Sequence, residues 1–276
     1  IKESLIKRTK SMNLTLYHSV ESTCGQKVRF VLSEKQLEWT EIYLNLRKGE
    51  QFEPQYLKLN PKAVVPTLIH DDRVIRESTV IIEYIDDVFP DPPRKPDDLY
   101  ARAQMRLLMK AFDDEVHPAV GILTYAIVMR HQMNELKTPE QMQEHFMKIT
   151  DPARRERQQR THADGLKAPS AQLAVNSLDR VIGFLDEALD SGPWLAGKDY
   201  SLADATAAPY MVRIEALNMA RLWDNRPNIG AWLERMVERG NGYDLQQPWG
   251  SPSFSEIVAR HVTEATPEID NLIACK

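Results

Sequence analysis

Two side chains that could do chemistry stand close together in Ser22-Thr23-Cys24, where a predicted strand gives way to a predicted helix. A helix N-terminus presents unpaired amide hydrogens and the positive end of the helix dipole, and both stabilise a thiolate. Ser22 can cap the helix, or it can donate its hydroxyl proton to a thiolate bound beside it. Cys24 can be a small buried residue, or a reactive thiol with a lowered pKa. The residue types leave both alternatives open at each position.

The segment from Asn60 to Leu68, NPKAVVPTL, has a proline inside an apolar run. Proline lacks an amide hydrogen, so within a sheet it lies at an edge, at a bulge or at the first position of a strand. We predict a cis peptide bond between Val65 and Pro66, which would turn the amide and carbonyl of Val65 outward. An edge of this kind can pair with an extended peptide.

Two further serines precede acidic or apolar residues in patterns that begin helices. Ser78, in Arg76-Glu77-Ser78-Thr79, is predicted to cap a helix whose free amides favour an anion. Ser201 and Asp204 have the spacing of a capping box. Asp204 could instead be catalytic, but an acid in the first turn stabilises a helix, so we interpret Ser201 and Asp204 as a structural cap.

These segments lie at the junctions of a regular series of predicted elements. Alternating residues predict strands over 13–17 and 39–46, separated by a helix from Ser22 to about residue 36. After a polar loop over 49–59 that has room for one helical turn, a hairpin is predicted over 65–70 and 73–76, and a second helix then begins at Ser78. The crossover helix makes the first two strands parallel, whereas the hairpin is antiparallel. The order βαβ-ββα predicts an α+β domain over 13–89.

The composition of the chain changes after residue 89. Four prolines between 90 and 96 exclude a helix or a central strand, so 90–97 is predicted to link two domains. The rest is helical in period and predicts an all-α domain over 98–262, followed by a tail over 263–276. Residues 1–12 are polar and basic and are interpreted as a disordered tail or a tag, with Met12 a candidate for the original start.

The polar segment 135–168 contains a cluster of four basic side chains, Arg154, Arg155, Arg157 and Arg160. A cluster of this kind could bind an anion. The interpretation that we favour is a solvated helix face, because a run of charges along a helix usually points to water.

Composition narrows the class of function. The 276 residues are 42% hydrophobic and 27% charged, which is typical of a globular protein with a sizeable core. The net charge of −5 disfavours a nucleic-acid partner. The longest apolar run, about 119–129, is shorter than the roughly 20 residues of a membrane span. The two cysteines are distant in sequence and no signal peptide pattern is present, so we expect a cytoplasmic protein that does not bind membranes. No histidine spacing is typical of a metal site, so we expect no bound metal.

Four motifs in this order resemble the cytosolic glutathione transferases. They are the Ser-x-Cys helix start at 22–24, the Asn-Pro-x-x-x-Val-Pro-Thr-Leu run at 60–68, Glu77-Ser78, and Ser-Leu-Ala-Asp-Ala at 201–205. The resemblance covers about 13–240. Ser22-Thr23-Cys24 followed by Lys27-Val28-Arg29 is most similar to the zeta-like branch and to bacterial tetrachlorohydroquinone dehalogenases. Residues 77–81 and the Asp-Val-Phe-Pro ending at 87–90 resemble bacterial β-etherases.

The resemblance implies a thioredoxin-like N-terminal domain, an all-helical C-terminal domain and a cytoplasmic homodimer active in detoxification. It implies glutathione as co-substrate and a hydrophobic small-molecule electrophile, with Ser22 assisting the thiolate and Cys24 able to form a mixed disulfide. Glutathione would be bound by Lys62, Val64, Val65, Pro66, Glu77 and Ser78. The candidates for binding the electrophile are Tyr17, Met105, Met109, Phe112 and Tyr125, with Trp249 on the C-terminal tail. Apolar residues at helical spacing are more often ordinary core, and this alternative applies to most of them. Tyr17 could donate to the thiolate instead of Ser22.

Three hypotheses follow for the function of the chain. In the first, a glutathione thiolate attacks a hydrophobic electrophile. In the second, a glutathione-dependent dehalogenase, ether-cleaving enzyme or thiol exchanger uses Cys24. In the third, the chain keeps the fold and binds glutathione without catalysis.

Overall fold

The computed structural model describes residues 13–239, 245 and 252–276. Its first part is an α+β domain with a four-stranded sheet in the order β2-β1-β3-β4. β1 pairs in parallel with β2, and both of the other strand pairs are antiparallel. The elements are β1 (Leu14–His18), α1 (Thr23–Glu34), β2 (Thr40–Tyr43), α2 (Pro54–Leu59), β3 (Thr67–His70), β4 (Arg73–Arg76) and α3 (Ser78–Val88). This topology confirms the predicted βαβ-ββα order.

Alternation along the strands explains how this sheet is held. Leu14 and Leu16 of β1 point into the core, where they meet Leu68 of β3, and all three are at most 3% exposed. α1 and α3 cover that face with apolar residues at helical spacing, among them Val28, Phe30, Leu32, Ile81, Ile82 and Ile85. The sheet therefore fixes where the N-termini of α1 and α3 emerge.

The predicted loop over 49–59 is partly helical, as its sequence allowed, whereas the predicted cap of α3 needs correction. The predicted loop over 49–59 contains a 3₁₀ turn, Glu50–Phe52, and the short helix α2. Pro54 occupies the first turn of α2, where its missing amide hydrogen costs nothing. Ser78 does not cap α3 but is its first residue, because Glu77 takes the cap position with a φ of 66°. The free amides at the start of α3 are present all the same.

The second part is helical, as predicted. Residues 90–97 contain no helix or strand, and Asp98 caps the following helix by accepting from the amide of Ala101. The helices are α4 (Leu99–Ala111), α5 (His117–Thr124), α6 (Arg130–Leu136), α7 (Pro139–Met147), α8 (Pro152–Asp164), α9 (Pro169–Leu189), α10 (Leu202–Ala216), α11 (Pro227–Arg239) and α12 (Pro252–Ala274).

The predicted tail over 263–276 is wrong, because α12 runs through it to Ala274. Val258, Val262 and Ile269 are buried against the helical core. Together with Ala265 and Leu272 they recur at spacings of three and four residues, which is the pattern of an amphipathic helix. The predicted tail or tag over 1–12 lies outside the described residues.

α4, α5 and α6 follow one another without a break, joined by two π-helical turns at Phe112–Val116 and Tyr125–Met129. In the first of these turns the amide of His117 donates to the carbonyl of Phe112, five residues earlier. Such wide turns are rare and frequently occur at functional sites. The second turn contributes Tyr125 and Met129 to the lining of the cavity described below, and the first ends immediately before His117, which also lines it.

The predicted capping box at α10 is confirmed. One oxygen of the Asp204 carboxylate accepts from the Ser201 amide at 2.9 Å, and Ser201 Oγ accepts from the amide of Ala203 at 3.2 Å. The other carboxylate oxygen accepts from the amide of Leu195 and from Nε1 of Trp232, both at 2.9 Å. Asp204 is fully buried and ties α10 to α11 and to the preceding loop, so it is a structural residue.

Candidate active site

A cavity of about 630 Å³ lies between the two domains. On one side it is bordered by the loop between β1 and α1 and by the segment before β3. On the other side it is bordered by α5, the second π-helical turn and α8. Its volume falls within the roughly 300–1,000 Å³ that is usual for small-molecule sites.

Ser22 borders this cavity and caps α1 at the same time. Its Oγ accepts from the amide of Gly25 at 3.1 Å, which uses one lone pair. A hydroxyl also carries one proton to donate, and no described residue accepts it. The capping role and a role toward a bound anion are therefore compatible.

The segment before β3 supplies the facing edge of the cavity. The peptide bond between Val65 and Pro66 is cis, as predicted. The carbonyl of Val64 is held by the Tyr56 hydroxyl at 2.6 Å and by Nδ2 of Asn60 at 2.9 Å. Among the described residues, the backbone of Val65 has no hydrogen-bond partner. Lys62, Val64 and Val65 line the cavity, whereas Pro66 is buried behind them.

Glu77 and Ser78 lie outside the cavity lining, although both were predicted to bind the same ligand as Lys62. Glu77 forms an ion pair with Lys62 at 2.8 Å, and both side chains are exposed. Ser78 is largely buried at the start of α3. The ion pair joins the start of α3 to the cavity wall.

Next to Ser22, charged side chains are held in a network. Glu21 forms an ion pair with Arg47 and accepts from the hydroxyl of Ser19 at 2.5 Å. Arg213 of α10 donates to the carbonyl of Glu21 at 2.8 Å. Burial lowers the pKa of Arg213 to about 9, against the opposing charge of Glu21, so the guanidinium remains charged at neutral pH. Arg47 and Arg213 both border the cavity and make this end electropositive.

Cys24 is half-buried and is not among the cavity-lining residues, and its sulfur contacts the helical domain. Its Sγ lies 3.2 Å from the hydroxyl of Tyr210 on α10 and 3.5 Å from Nδ1 of His117 on α5. The Tyr210 hydroxyl and His117 Nδ1 are themselves 3.2 Å apart, so the three polar atoms form a triangle. His117 also borders the cavity, and it thereby connects the thiol to that space.

The surroundings of Cys24 favour a thiolate. Burial alone would raise the pKa of the thiol, but the charge and hydrogen bond of His117, the charge of Lys27 and the Tyr210 hydroxyl lower it from 9.0 to about 6. The thiolate in turn raises the pKa of His117. The thiolate form of Cys24 and the imidazolium form of His117 therefore stabilise each other.

Lys27 is fully buried yet charged, one turn along α1 from Cys24. Its Nζ donates to Oγ1 of Thr79 at 2.8 Å and pairs with Asp113 at 3.2 Å, while Thr79 also donates to Asp113. The ammonium lies 5.8 Å from the centre of the Tyr210 ring. Lys27 thus joins both domains beneath Cys24.

Most of the candidates for the electrophile pocket are ordinary core, which is the alternative that their helical spacing favoured. Met105, Met109 and Phe112 are at most 1% exposed and belong to the helical core, because the α4 face that carries them packs inward. Tyr17 lies against Tyr56 with ring centres 5.7 Å apart and does not border the cavity. Tyr125 alone of the predicted set borders it. Trp249 lies outside the described residues.

The described residues include neither a metal-binding group of side chains nor a membrane-spanning helix. Among them, no group of three or more histidine, cysteine, aspartate or glutamate side chains is placed to hold a metal ion. No helix among the described residues is long and apolar enough to cross a membrane.

Comparison with known families assigns the class. The model of "Glutathione S-transferase, N-terminal domain" matches residues 21–88, and that of "Glutathione S-transferase, C-terminal domain" matches residues 128–240. The chain belongs to the glutathione S-transferase family, as its fold and the motifs around the cavity predict.

Individual relatives place the chain within that family. Protein LigF of Sphingobium sp. is 30% identical over 238 residues, which cover 83% of this chain and 91% of LigF. The crystal structure of β-etherase LigF matches 90% of this chain and 100% of its own with a TM-score of 0.73 and 25% identity.

Two other relatives represent the remaining branches that the motifs predicted. The tetrachloro-p-hydroquinone reductive dehalogenase of Sphingobium chlorophenolicum is 29% identical over 235 residues, covering 82% of this chain and 92% of the enzyme. Glutathione S-transferase Z1 of Arabidopsis thaliana is 43% identical over 90 residues, covering 33% and 41% of the two chains. The similarity to the zeta, dehalogenase and β-etherase branches is confirmed.

Sequence reasoning missed His117, Tyr210 and Arg213. Their elements were predicted only as helices, and a helical period alone does not show which polar residue meets a distant one. Pro118 after His117 and Pro209 before Tyr210 were the available signals, since proline inside a helix marks a position where the regular bonding is interrupted.

Proposed function

We propose that the chain is a glutathione-dependent enzyme in which the thiolate of glutathione, bound beside Ser22, attacks a hydrophobic electrophile in the cavity. The observation that carries this is Ser22 at the N-terminus of α1, with an undonated proton beside the cavity. A hydroxyl donor, the helix dipole and the cations Arg47 and Arg213 all favour a thiolate there. Sulfur bonds to carbon while the leaving group departs with its electron pair.

The rest of glutathione would lie along the segment before β3. The unpaired backbone of Val65 supports pairing with the cysteinyl residue. The amides at the start of α3, at Ser78, would bind the γ-glutamyl carboxylate, and Glu77 the ammonium. Lys62 would bind the glycyl carboxylate. Its exposed ion pair with Glu77 is worth at most about 1 kcal/mol, so exchanging it for ligand contacts costs little.

The test is a titration of glutathione into the chain by calorimetry, followed by turnover assays with chlorinated aromatics and aryl ethers. Ser22→Ala should keep glutathione binding and lower kcat/KM for conjugation by about 10- to 100-fold. The proposal is wrong if the wild-type chain turns over none of these compounds. Binding without turnover would instead support the third hypothesis, a non-catalytic glutathione-binding protein.

A second candidate function is glutathione-dependent reduction through Cys24, and the triangle of Cys24, His117 and Tyr210 favours it. The Cys24 thiolate would attack the sulfur of a glutathionyl conjugate. A mixed disulfide forms, and the carbon group leaves with the electron pair and takes up a proton. A second glutathione thiolate then releases oxidised glutathione and restores Cys24. The dehalogenase relative is consistent with this order of steps.

Cys24→Ser separates the two candidates. If reduction is the function, this variant stops after the first conjugation, and mass spectrometry should detect the accumulated glutathionyl product. If the variant keeps complete turnover and thiol exchange, Cys24 is not the reacting thiol. The wild-type enzyme, trapped during turnover, should carry one glutathione on Cys24.

We also infer that the chain forms a homodimer. Large apolar side chains stand exposed on α3 and α4, namely Val80, Leu99, Tyr100 and Leu107. Exposed apolar groups on neighbouring helices are typical of an interface. Sedimentation equilibrium measures the mass directly, and a monomer at micromolar concentration would contradict the inference.

A further inference from the structure

The side of the cavity formed by α8 differs in character from the side at Ser22. Arg154, Arg157, Gln158 and Thr161 of α8 all border the cavity. Their positions i, i+3, i+4 and i+7 place them on one face of the helix. We call these four residues the α8 face. The sequence favoured a solvated surface for this arginine cluster. Arg157 is exposed, in agreement with that interpretation, whereas Arg154 is half-buried, and both arginines border the cavity.

The two arginines of the α8 face have no acidic partner. Among the described residues, the side chains of Arg154 and Arg157 form neither an ion pair nor a hydrogen bond. Arg160 on the same helix, by contrast, pairs with Asp164 at 3.8 Å. Arg154 is half-buried, and a half-buried guanidinium without an acceptor is costly unless an anion joins it.

The surrounding charges support a positive field at this side. Burial and the neighbouring Arg157 lower the pKa of Arg154, and Asp151 opposes them only in part. The Asp151 carboxylate also borders the cavity, but it caps α8 by accepting from the amides of Ala153 and Arg154. His145 borders the same region, where burial and the charges of Lys137, Lys148 and Arg154 lower its pKa to about 4.

Apolar side chains line the cavity next to the α8 face. They are Tyr125, Met129, Met133 and Ile149. A ligand that contacts these residues and also reaches the arginines must have an apolar body and an anionic group. Guanidinium groups fit planar or tetrahedral oxyanions through paired hydrogen bonds, so carboxylate, sulfonate and phosphate share the required chemistry.

We propose that the electrophile of this enzyme is an amphipathic anion, whose apolar body lies against Tyr125 and Ile149 and whose oxyanion pairs with Arg154 and Arg157. This inference rests on the proposed function, because it names the second substrate of the same cavity. It excludes purely apolar electrophiles as the preferred substrates. It also gives the polar segment 135–168 a role in choosing the substrate.

The experiment compares three substrates that share a reacting carbon. Chlorodinitrobenzoate, the corresponding sulfonate and the neutral chlorodinitrobenzamide are each assayed with glutathione. Wild-type enzyme should show a lower KM for the two anions than for the amide. Arg154→Gln and Arg157→Gln should each raise the KM of the anions by about 10- to 100-fold, the range for a hydrogen bond to a charged group, and leave the amide unchanged.

Arg160→Gln is the matched control, because it removes the same charge from the same helix outside the cavity. It should leave all three KM values unchanged. Arg154→Lys keeps the charge and should therefore restore only part of the preference for the anions over the amide. This partial recovery should be clearest for the carboxylate. Equal KM values for anion and amide in the wild type, or equal losses in the Arg160 variant, would overturn the proposal. Of the two anions, the one whose KM rises more in Arg154→Gln is the better match for the α8 face.

A failure of the proposed function can be distinguished from a failure of the α8 face as a binding site. If no substrate is turned over, glutathione conjugates carrying the benzoate or the benzamide are titrated by calorimetry. An anion preference lost in Arg154→Gln supports the α8 face as a binding subsite, even though the catalytic proposal fails. Equal affinities for the two conjugates would reject the subsite itself. Arg157→Gln serves if the Arg154 variant does not fold, since Arg157 is exposed.

Discussion

Ser22 and Cys24 are separated by one residue, yet they serve opposite sides of the first turn of α1. Ser22 borders the cavity, whereas the sulfur of Cys24 lies against His117 and Tyr210 of the helical domain. Under the proposed function, one side donates to the thiolate of a bound ligand. On the other side, His117 and Tyr210 lower the pKa of the chain's own thiol. Both sides share the positive end of the α1 dipole, so the side chains of the second domain distinguish them.

The largest expected effect is one that disturbs both sides together. Asp204→Ala should lower the free energy of unfolding by about 3 kcal/mol or more, because three buried donors on Leu195, Ser201 and Trp232 lose their acceptor. α10 carries both Tyr210 and Arg213, so Ser22 and Cys24 chemistry should weaken alike at temperatures near unfolding. Urea denaturation measures the change.

Asp98→Ala is the control for that variant. It removes an exposed cap with one backbone bond and should cost only about 1 kcal/mol. Comparable losses in the two variants would show that Asp204 is an ordinary cap.

The second effect should be confined to the cavity side. Ser22→Ala should reduce kcat/KM for conjugation by about 10- to 100-fold, which corresponds to one hydrogen bond to a charged group. The alkylation rate of Cys24 should stay unchanged, because Ser22 does not contact its sulfur. Stopped-flow kinetics measures conjugation on the Ser22 side, and mass spectrometry measures alkylation of Cys24 on the other side. A similar loss in both would mean that the substitution only frays α1.

The third effect should be confined to the other side. His117→Ala, in a Cys275→Ser background, should slow alkylation of Cys24 by iodoacetamide at pH 7 by about 10-fold, because the thiol pKa rises toward its ordinary value. Tyr125→Phe is the control, because Tyr125 lies on the same continuous run of helices as His117 but away from the sulfur. An unchanged rate in the His117 variant would show that the imidazole does not stabilise the thiolate.

The smallest effect concerns pH. With a pKa of about 6, Cys24 should alkylate at a rate that falls about tenfold per pH unit below 6 and levels off above 7. Lowering pH protonates the thiolate, so the sign is a loss of reactivity toward acid. Cys275, which is exposed, provides the comparison in the Cys24→Ser variant. A midpoint above pH 8 for Cys24 would contradict the proposed thiolate.

The fold was predictable because its signals are local. Alternation in β1 and β3, the proline-rich 90–97 and the spacing of Ser201 and Asp204 each lie within about ten residues. α12 also has a readable apolar period. Met105 and Phe112 remained candidates for both core and cavity wall, because apolar periodicity shows that a helix face is buried but does not distinguish these two environments.

The partners of Cys24 could not be predicted in the same way. His117 and Tyr210 are 93 and 186 positions away along the chain, and only packing of α5 and α10 onto α1 brings them together. The arginines of the α8 face show the same limit. A cluster of four basic residues in a polar segment has the same sequence pattern whether its side chains face water or a cavity.

The π-helical turn at Phe112–Val116 makes the chemistry of the site depend on the count of residues as well as on their identity. One residue fewer in that turn would restore regular α-helix and rotate everything after it by about 100°. His117 would then leave the sulfur, and Tyr125 the cavity, with no functional side chain altered. Among members of this family, single-residue gaps just before this histidine would therefore be expected to mark changes of reaction type.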